Sequence, residues 1–252
     1  MASALLIKQL SKSFGALRAV DGVNLNIEAG RVHALIGPNG AGKTTVFNCV
    51  TGFLRPDSGQ VLLKGRNVTG WPAHRLVAAG LARTFQITKV FVELTVLENV
   101  ELAVRSRLGR NFDFFHTARA FPQARSEAEE ILRVVGLLEK AQLRGEQLAH
   151  GDKRILEVAI GLALNPDVLL LDEPTAGMSR AETDRIAQLV RQIASRTSIL
   201  LIEHDTEVVL SISDQITVMT QGRVIAQGGP DAISKDPKVR DAYLGAIDTR
   251  GT

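Results

Sequence analysis

The segment Gly37-Pro38-Asn39-Gly40-Ala41-Gly42-Lys43-Thr44-Thr45 restricts this chain more than any other. It satisfies the pattern G-x-x-x-x-G-K-[ST], with Gly37, Gly42, Lys43 and Thr44 at the fixed positions. Residues 31–36 before it (RVHALI) are apolar and favour a strand, and residues 43–50 after it (KTTVFNCV) read as a helix start. Strand, glycine-rich turn and helix together are what a phosphate cradle needs. The glycines let backbone N–H groups wrap around phosphate oxygens, and the helix N-terminus adds partial positive charge. Lys43 is expected to reach β- and γ-phosphates and Thr44 to place its hydroxyl on Mg²⁺. A chance glycine-rich turn is the competing reading, and the strand–turn–helix setting argues against it.

Composition limits the partners. The net charge of +3 is weak, and no Lys/Arg block carries interleaved aromatics, so a nucleic-acid partner is not expected. The single cysteine, Cys49, excludes an internal disulfide and suits a reducing compartment. No apolar run approaches the ~18 residues of a membrane span, and the first residues lack a basic region followed by a long apolar one. The expectation is a soluble cytosolic protein whose membrane role would come through a partner.

Along the chain, residues 5–10 and 20–27 read as strands, the second alternating Val23, Leu25 and Ile27 with Asn24 and Asn26. Between them, Phe14 either stacks on a nucleotide base or is a core or turn aromatic. A turn cluster at 52–59, a strand at 60–64, a helix at 72–79 and a strand at 81–85 ending at Gln86 follow. Residues 87–165 carry almost no strand signal. Thr95 and Glu98 form a capping box there, and 126–135 and 151–164 read as helices. Strands at 168–171 and 198–202, helices at 180–195 and 206–212, a hairpin of 215–219 with 223–226, and a helical tail complete the pattern. This predicts one domain: an α/β core from 1–86 and 166–252, with a helical subdomain, 87–165, inserted.

Two further segments carry chemistry. The apolar strand 168–171 delivers Asp172 at its C-terminal end, where a carboxylate can face Mg²⁺, and Glu173 beside it points the other way along the pleat and can polarise a water for in-line attack. A lone Leu-Leu-Asp-Glu is weak; about 130 residues after a phosphate loop it is strong. His204 follows the next apolar strand. Parallel strands present their C-terminal ends to one crevice, so His204 is expected near the γ-phosphate and Glu173, although a lone histidine there also fits a plain surface side chain.

With these pieces the chain resembles the ATP-binding subunits of ABC transporters over almost its whole length. The matching segments are Gly37–Thr45, a glutamine loop at Gln86, Leu148-Ala149-His150-Gly151-Asp152 at the family signature, Asp172-Glu173, a loop 176–179 (AGMS) at the family's D-loop, and His204. The phrases at 80–86 (GLARTFQ), 94–99 (LTVLEN), 173–177 (EPTAG) and 241–245 (DAYLG) resemble the branched-chain amino acid importer ATPases. The resemblance implies a phosphate-loop NTPase (RecA-like) α/β core with an antiparallel β subdomain and the helical insert, and ATP and Mg²⁺ as cofactors. It also implies a head-to-tail pair of ATP-binding subunits, with ATP held between one phosphate loop and the other subunit's Ala149, His150, Gly151 and Ser179. Two membrane permease subunits and, indirectly, a solute-binding protein complete such a transporter at the cytoplasmic face of the membrane. Gln86 would contact Mg²⁺ and sense the γ-phosphate, Asp172 and Thr44 would hold the metal, and Glu173 would act as base with His204 and Lys43. Urea or amide uptake and lipopolysaccharide export are the alternative cargoes, and a non-transport ABC ATPase the alternative class.

The chain departs from the usual Leu-Ser-Gly-Gly-Gln signature at Ala149, His150 and Asp152, and has Ser179 where an aspartate is common. Loss of the serine hydroxyl either slows the site that this segment completes or is harmless. Free N–H groups at the start of the helix near Gly151, or a donor from His150, are expected to compensate.

Overall fold

The structure is a computed structural model that describes residues 2–84, 90–109 and 122–244. In chain order its elements are β1 (Ser3–Phe14), β2 (Leu17–Glu28), β3 (Val32–Ile36), α1 (Lys43–Val50), β4 (Ser58–Leu63), β5 (Arg66–Asn67), α2 (Ala73–Ala78) and β6 (Leu81–Arg83). Then come α3 (Val96–Arg107), α4 (Pro122–Val134), α5 (His150–Ala163), β7 (Val168–Asp172), α6 (Arg180–Ala194), β8 (Ser198–Ile202), α7 (Thr206–Ile212), β9 (Gln215–Thr220), β10 (Arg223–Gly228), α8 (Pro230–Lys235) and α9 (Pro237–Leu244). Every described helix or strand between β6 and β7 is helical.

The strands form two sheets. One is antiparallel, in the order β2-β1-β4-β5; the other runs β10-β9-β3-β8-β7-β6 and is parallel except for the β9–β10 hairpin. β3, β7 and β8 are buried at every residue. A parallel strand covered on both faces needs no polar alternation, which is why these three read as unbroken apolar runs. The pleat sorts their side chains. Leu169, Leu171, Ile199 and Leu201 pack with helices α3 to α6 in one core. Val168, Leu170, Leu200 and Ile202 face the other way, into a core shared with Phe47 of α1 and the antiparallel sheet. A small third core lies under α7, α8 and α9. Each fully buried Leu or Ile contributes roughly 1.5–3 kcal/mol, so these layers hold the sheet rigid beneath its loops.

β1 and β2 are longer than their alternation predicts. They meet at a tight turn through Gly15, and Phe14 is the last residue of β1. The alternation is hidden because Gln9 adopts φ +48° and the β1–β2 register shifts between Ile7 and Leu10. β6 ends at Arg83, short of the expected 81–85, and Gln86 lies outside the described residues. The two-residue β5 had no sequence signal, since Arg66 and Asn67 are polar and exposed.

The strand order fixes where chemistry can occur. β8 is flanked by β3 and β7, all parallel. Their C-terminal ends therefore bring residues 37–45, 172–173 and 203–204 to one edge of the sheet. No helix among the described residues is long and apolar enough to cross a membrane.

Candidate functional site

The phosphate loop begins where β3 meets its neighbour. Gly37 has φ +151°, and a Cβ there would lie 2.1 Å from the Met219 carbonyl oxygen of β9, so only glycine fits. Gly42 is the N-cap of α1, at φ +99° with no side-chain cap. A Cβ on it would come 2.3 Å from the Ala19 carbonyl. The N–H groups that start α1 thus have no side-chain acceptor from the cap residue, as an anion site requires. Lys43 lies against this loop. Its Nζ donates to the carbonyls of Gly37 (2.6 Å) and Pro38 (3.0 Å). Burial pushes its pKa below the usual lysine range, while Glu173 and Asp172 pull it back up.

A cleft of about 340 Å³ opens over the loop. It is lined by Asn39, Gly40, Ala41, Gly42, Lys43, Thr44 and Thr45, and by Phe14, Glu173 and His204. Phe14 is 47% exposed, so it is a rim aromatic rather than core. Leu17 and Ala19 line the same cleft and were not singled out in the sequence; an apolar residue flanking the Gly15 turn, Leu17 at 68% exposure, was the available signal.

Opposite the loop, Glu173 and His204 meet. His204 Nε2 and Glu173 Oε1 are 2.8 Å apart. Glu173 is not aimed by the pleat, as the sequence suggested. β7 ends at Asp172, and Glu173 takes a left-handed φ of +48° with its N–H on the Ile202 carbonyl at 2.9 Å. A glutamate in that region is strained by about 1 kcal/mol or more. The buried Glu203 braces this arrangement. Its Oε1 accepts from the Thr175 backbone (2.9 Å) and hydroxyl (2.6 Å), and its Oε2 accepts from the His204 N–H (3.0 Å). Glu203 was missed because nothing in Ile-Glu-His distinguishes a buried brace from a solvated acid.

Asp172 lies beneath the cleft, its side chain only 2% exposed, with Oδ2 accepting from Arg83 Nη2 at 2.6 Å. Thr44 and Asp172 supply hard oxygen donors, and no group of three or more His, Cys, Asp or Glu that would hold a metal occurs among the described residues. Hard oxygen donors of this kind fit Mg²⁺, which keeps several waters and takes phosphate oxygens.

The signature segment is elsewhere. Ala149, Gly151 and Asp152 line a separate small cavity of about 130 Å³ with Glu182 and Arg185, and none of them borders the phosphate cleft. Asp152 is buried between Lys140, on Oδ2, and Arg185, 2.8 Å from Oδ1. Burial raises its pKa, but those two cations more than offset this and hold it below the usual range. Of the N–H groups expected to be free at the start of α5, that of Gly151 has an acceptor. The Gly151 backbone donates to the Glu182 carboxylate, which also accepts from the Ser179 hydroxyl (2.7 Å) and N–H (2.9 Å). The Ser179 hydroxyl is likewise engaged within its own helix cap, and His150 Nε2 lies 3.3 Å from the Ala176 carbonyl.

Comparison with known proteins gives a consistent result. Residues 20–176 match the family model described as ABC transporter, and residues 223–249 match one described as branched-chain amino acid ATP-binding cassette transporter. The chain is 43% identical over 247 residues to the high-affinity branched-chain amino acid transport ATP-binding protein BraF of Pseudomonas aeruginosa, covering 95% of this chain and 96% of that protein. It superposes with a TM-score of 0.86 on an ATP-binding cassette of an ABC transporter in its ADP conformation, 30% identical, covering 97% of this chain and all of the other. A dimeric ATP-binding cassette bound to ADP and Pi in a post-hydrolysis state gives 0.74 at 25% identity, covering 90% of this chain and 98% of that one.

Proposed function

The chain belongs to the ABC transporter family, in its ATP-binding cassettes, and from that premise we propose that it is the ATPase subunit that energises import of branched-chain amino acids. The match of residues 223–249, outside the general cassette, supports the cargo. The hydrogen bond between Glu173 and His204 across from the phosphate loop carries the hydrolytic reading.

In this reading ATP enters the cleft with its phosphates on the N–H groups of residues 39–45 and its base against Phe14. Lys43 leaves the Gly37 and Pro38 carbonyls for phosphate oxygens. Thr44 and Asp172 would hold Mg²⁺, which supplies charge neutralisation at the β- and γ-phosphates when bound. Glu173 accepts the proton of the attacking water. His204 fixes the Glu173 carboxylate through Oε1, and Glu203 fixes the His204 backbone. The acceleration comes from positioning and from charge placed in advance. The site is completed by a second ATP-binding subunit through its signature helix. In support, this chain's own signature residues do not border its own cleft, and a related cassette forms a dimer. Permease subunits would dock near the junction of the α/β core and the helical insert, around Gln86 to Leu94, holding the protein at the cytoplasmic face of the membrane.

Glu173→Gln in the assembled transporter keeps shape and removes the base. ATP binding is expected to stay within about threefold of wild type while hydrolysis and labelled-leucine uptake fall by two orders of magnitude or more, the usual scale for general-base loss. Hydrolysis near the wild-type rate would sink the role given to Glu173.

A further inference from the structure

Among the described residues, Arg83 bridges the Asp172 carboxylate and α1, the helix leaving the phosphate loop. It ends β6, paired in register with Leu170 of β7. Its guanidinium is used on three sides. Nη2 donates to Asp172 Oδ2 at 2.6 Å, with the two side chains 10% and 2% exposed. Nη1 donates to Asn48 Oδ1 at 2.6 Å and lies 3.4 Å from the Thr51 hydroxyl. The guanidinium carbon lies 5.7 Å from the Phe47 ring centre and 5.8 Å from that of Phe53. Nε is buried and has no hydrogen-bond partner among the described residues, so the fork is not placed by hydrogen-bond economy alone.

We propose that Arg83 is a positioning residue for hydrolysis: it fixes the Asp172 carboxylate against α1, so that the metal-facing carboxylate and the phosphate loop move as one body. The inference rests on the reading of Asp172 as a Mg²⁺-facing group. A carboxylate so deeply buried needs a counter-charge, and leaving it unpaired is strongly destabilising. Arg83 supplies that charge whether or not nucleotide and metal are present. By occupying Oδ2 it leaves Oδ1 for the hydration shell of a cation. A planar fork is required, because one group must reach Asp172 and Asn48 at once while its faces rest near two aromatic rings. Lysine, with a point charge on a flexible stem, cannot hold both. Asp172 is followed directly by Glu173, so any slack at Asp172 is passed to the base.

A purely structural ion pair gluing β6 to β7 would lower stability without changing how metal affects nucleotide binding. The test therefore reads metal coupling. In the full chain, affinity for a fluorescent ATP analogue is measured in EDTA and in millimolar Mg²⁺ for wild type, Arg83→Lys, Arg83→Met and Asn48→Ala. Melting temperature is followed alongside, and the Mg²⁺ half-activation of ATPase is measured in the assembled transporter. Affinity in EDTA is expected to stay within about twofold for all four. The gain in affinity on adding Mg²⁺ should shrink about tenfold in Arg83→Met, and about threefold in Arg83→Lys and Asn48→Ala, with Mg²⁺ half-activation rising in the same order. Wild-type Mg²⁺ gain in Arg83→Lys and in Arg83→Met overturns the proposal; should Arg83→Met fail to fold, Arg83→Lys decides alone. Asp172→Asn separates the two readings. If it keeps the full Mg²⁺ gain, the metal role of Asp172 falls and the role of Arg83 falls with it. If it loses the gain while the Arg83 variants do not, only Arg83 is wrong.

Discussion

Glu173 is held where neither the strand nor a helix would put it. Its left-handed backbone, the Ile202 carbonyl and the His204 ring together aim one carboxylate oxygen at the cleft. The sequence singled out both side chains because each follows an apolar strand, and the structure brings them together at one cleft. Their contact came from β8 lying between β3 and β7, which no local pattern specifies. A second histidine was not singled out by the sequence. His33 is buried in β3, with Nε2 2.8 Å from the Thr217 hydroxyl, and burial drives its pKa down to about 4 against one backbone hydrogen bond that raises it. A depressed histidine pKa means that the unfolded chain binds the proton first. The associated stability is complete above the unfolded value near 6.5, and is lost as pH falls toward about 4, below which it levels off. Between pH 7 and 5 the loss is on the order of 2 kcal/mol. Urea denaturation of wild type and His33→Gln at both pH values checks this: the wild type should lose more stability than the variant, and equal losses would remove His33 from the account.

At the scale of elements, α3 and α5 start differently. α3 begins with the capping box expected from Thr95 and Glu98: the Thr95 hydroxyl accepts from the Glu98 N–H at 3.1 Å, and Glu98 accepts in return at 2.7 Å. α5 begins at Ala149, an N-cap with no side-chain hydrogen bond. Ala149→Ser should therefore stabilise the chain by about 0.5–1 kcal/mol, raising the melting temperature by a few degrees. A scanning-calorimetry melt that does not rise would mean that, with Glu182 already on the Gly151 N–H, the new hydroxyl does not reach the Asp152 N–H. The altered signature was legible as a departure, but its consequence was not. Lys140 and Arg185 around Asp152 come from separate segments, and only the fold shows that the substituted acid has two cations waiting. Residues 90–92, ahead of α3, also offer a surface. Phe91 is 57% and Val92 45% exposed, while Val90 is buried. Phe91→Asp should leave nucleotide affinity within about twofold and abolish co-purification with the permease. Retained association would place the membrane contact elsewhere, and a variant melting more than a few degrees low would mean that the substitution disturbs the buried Val90 beside it.

For the whole molecule, the sequence pattern conveyed the alternation of strand and helix well, because buried parallel strands are uninterrupted apolar runs. It conveyed the antiparallel sheet less well, because bulges near Gln9 erase the two-residue period. What no local pattern conveys is that the cleft with Lys43, Glu173 and His204 and the helix that starts at the signature segment border different cavities. If the signature helix of one molecule completes the cleft of another, hydrolysis by the isolated chain is a property of pairs. The specific ATPase rate should then climb with protein concentration at saturating ATP, steeply at first and flattening once pairs predominate. Sedimentation velocity should show mass moving from monomer to dimer over the same range. Glu173→Gln, expected to bind ATP without hydrolysing it, should shift that midpoint to lower concentration, because the closed pair would no longer be released by hydrolysis. The decisive result is the opposite one: a sample that sediments as a monomer yet hydrolyses ATP at a rate per molecule independent of concentration. A single cleft would then be sufficient by itself, and the separate signature helix would need another explanation.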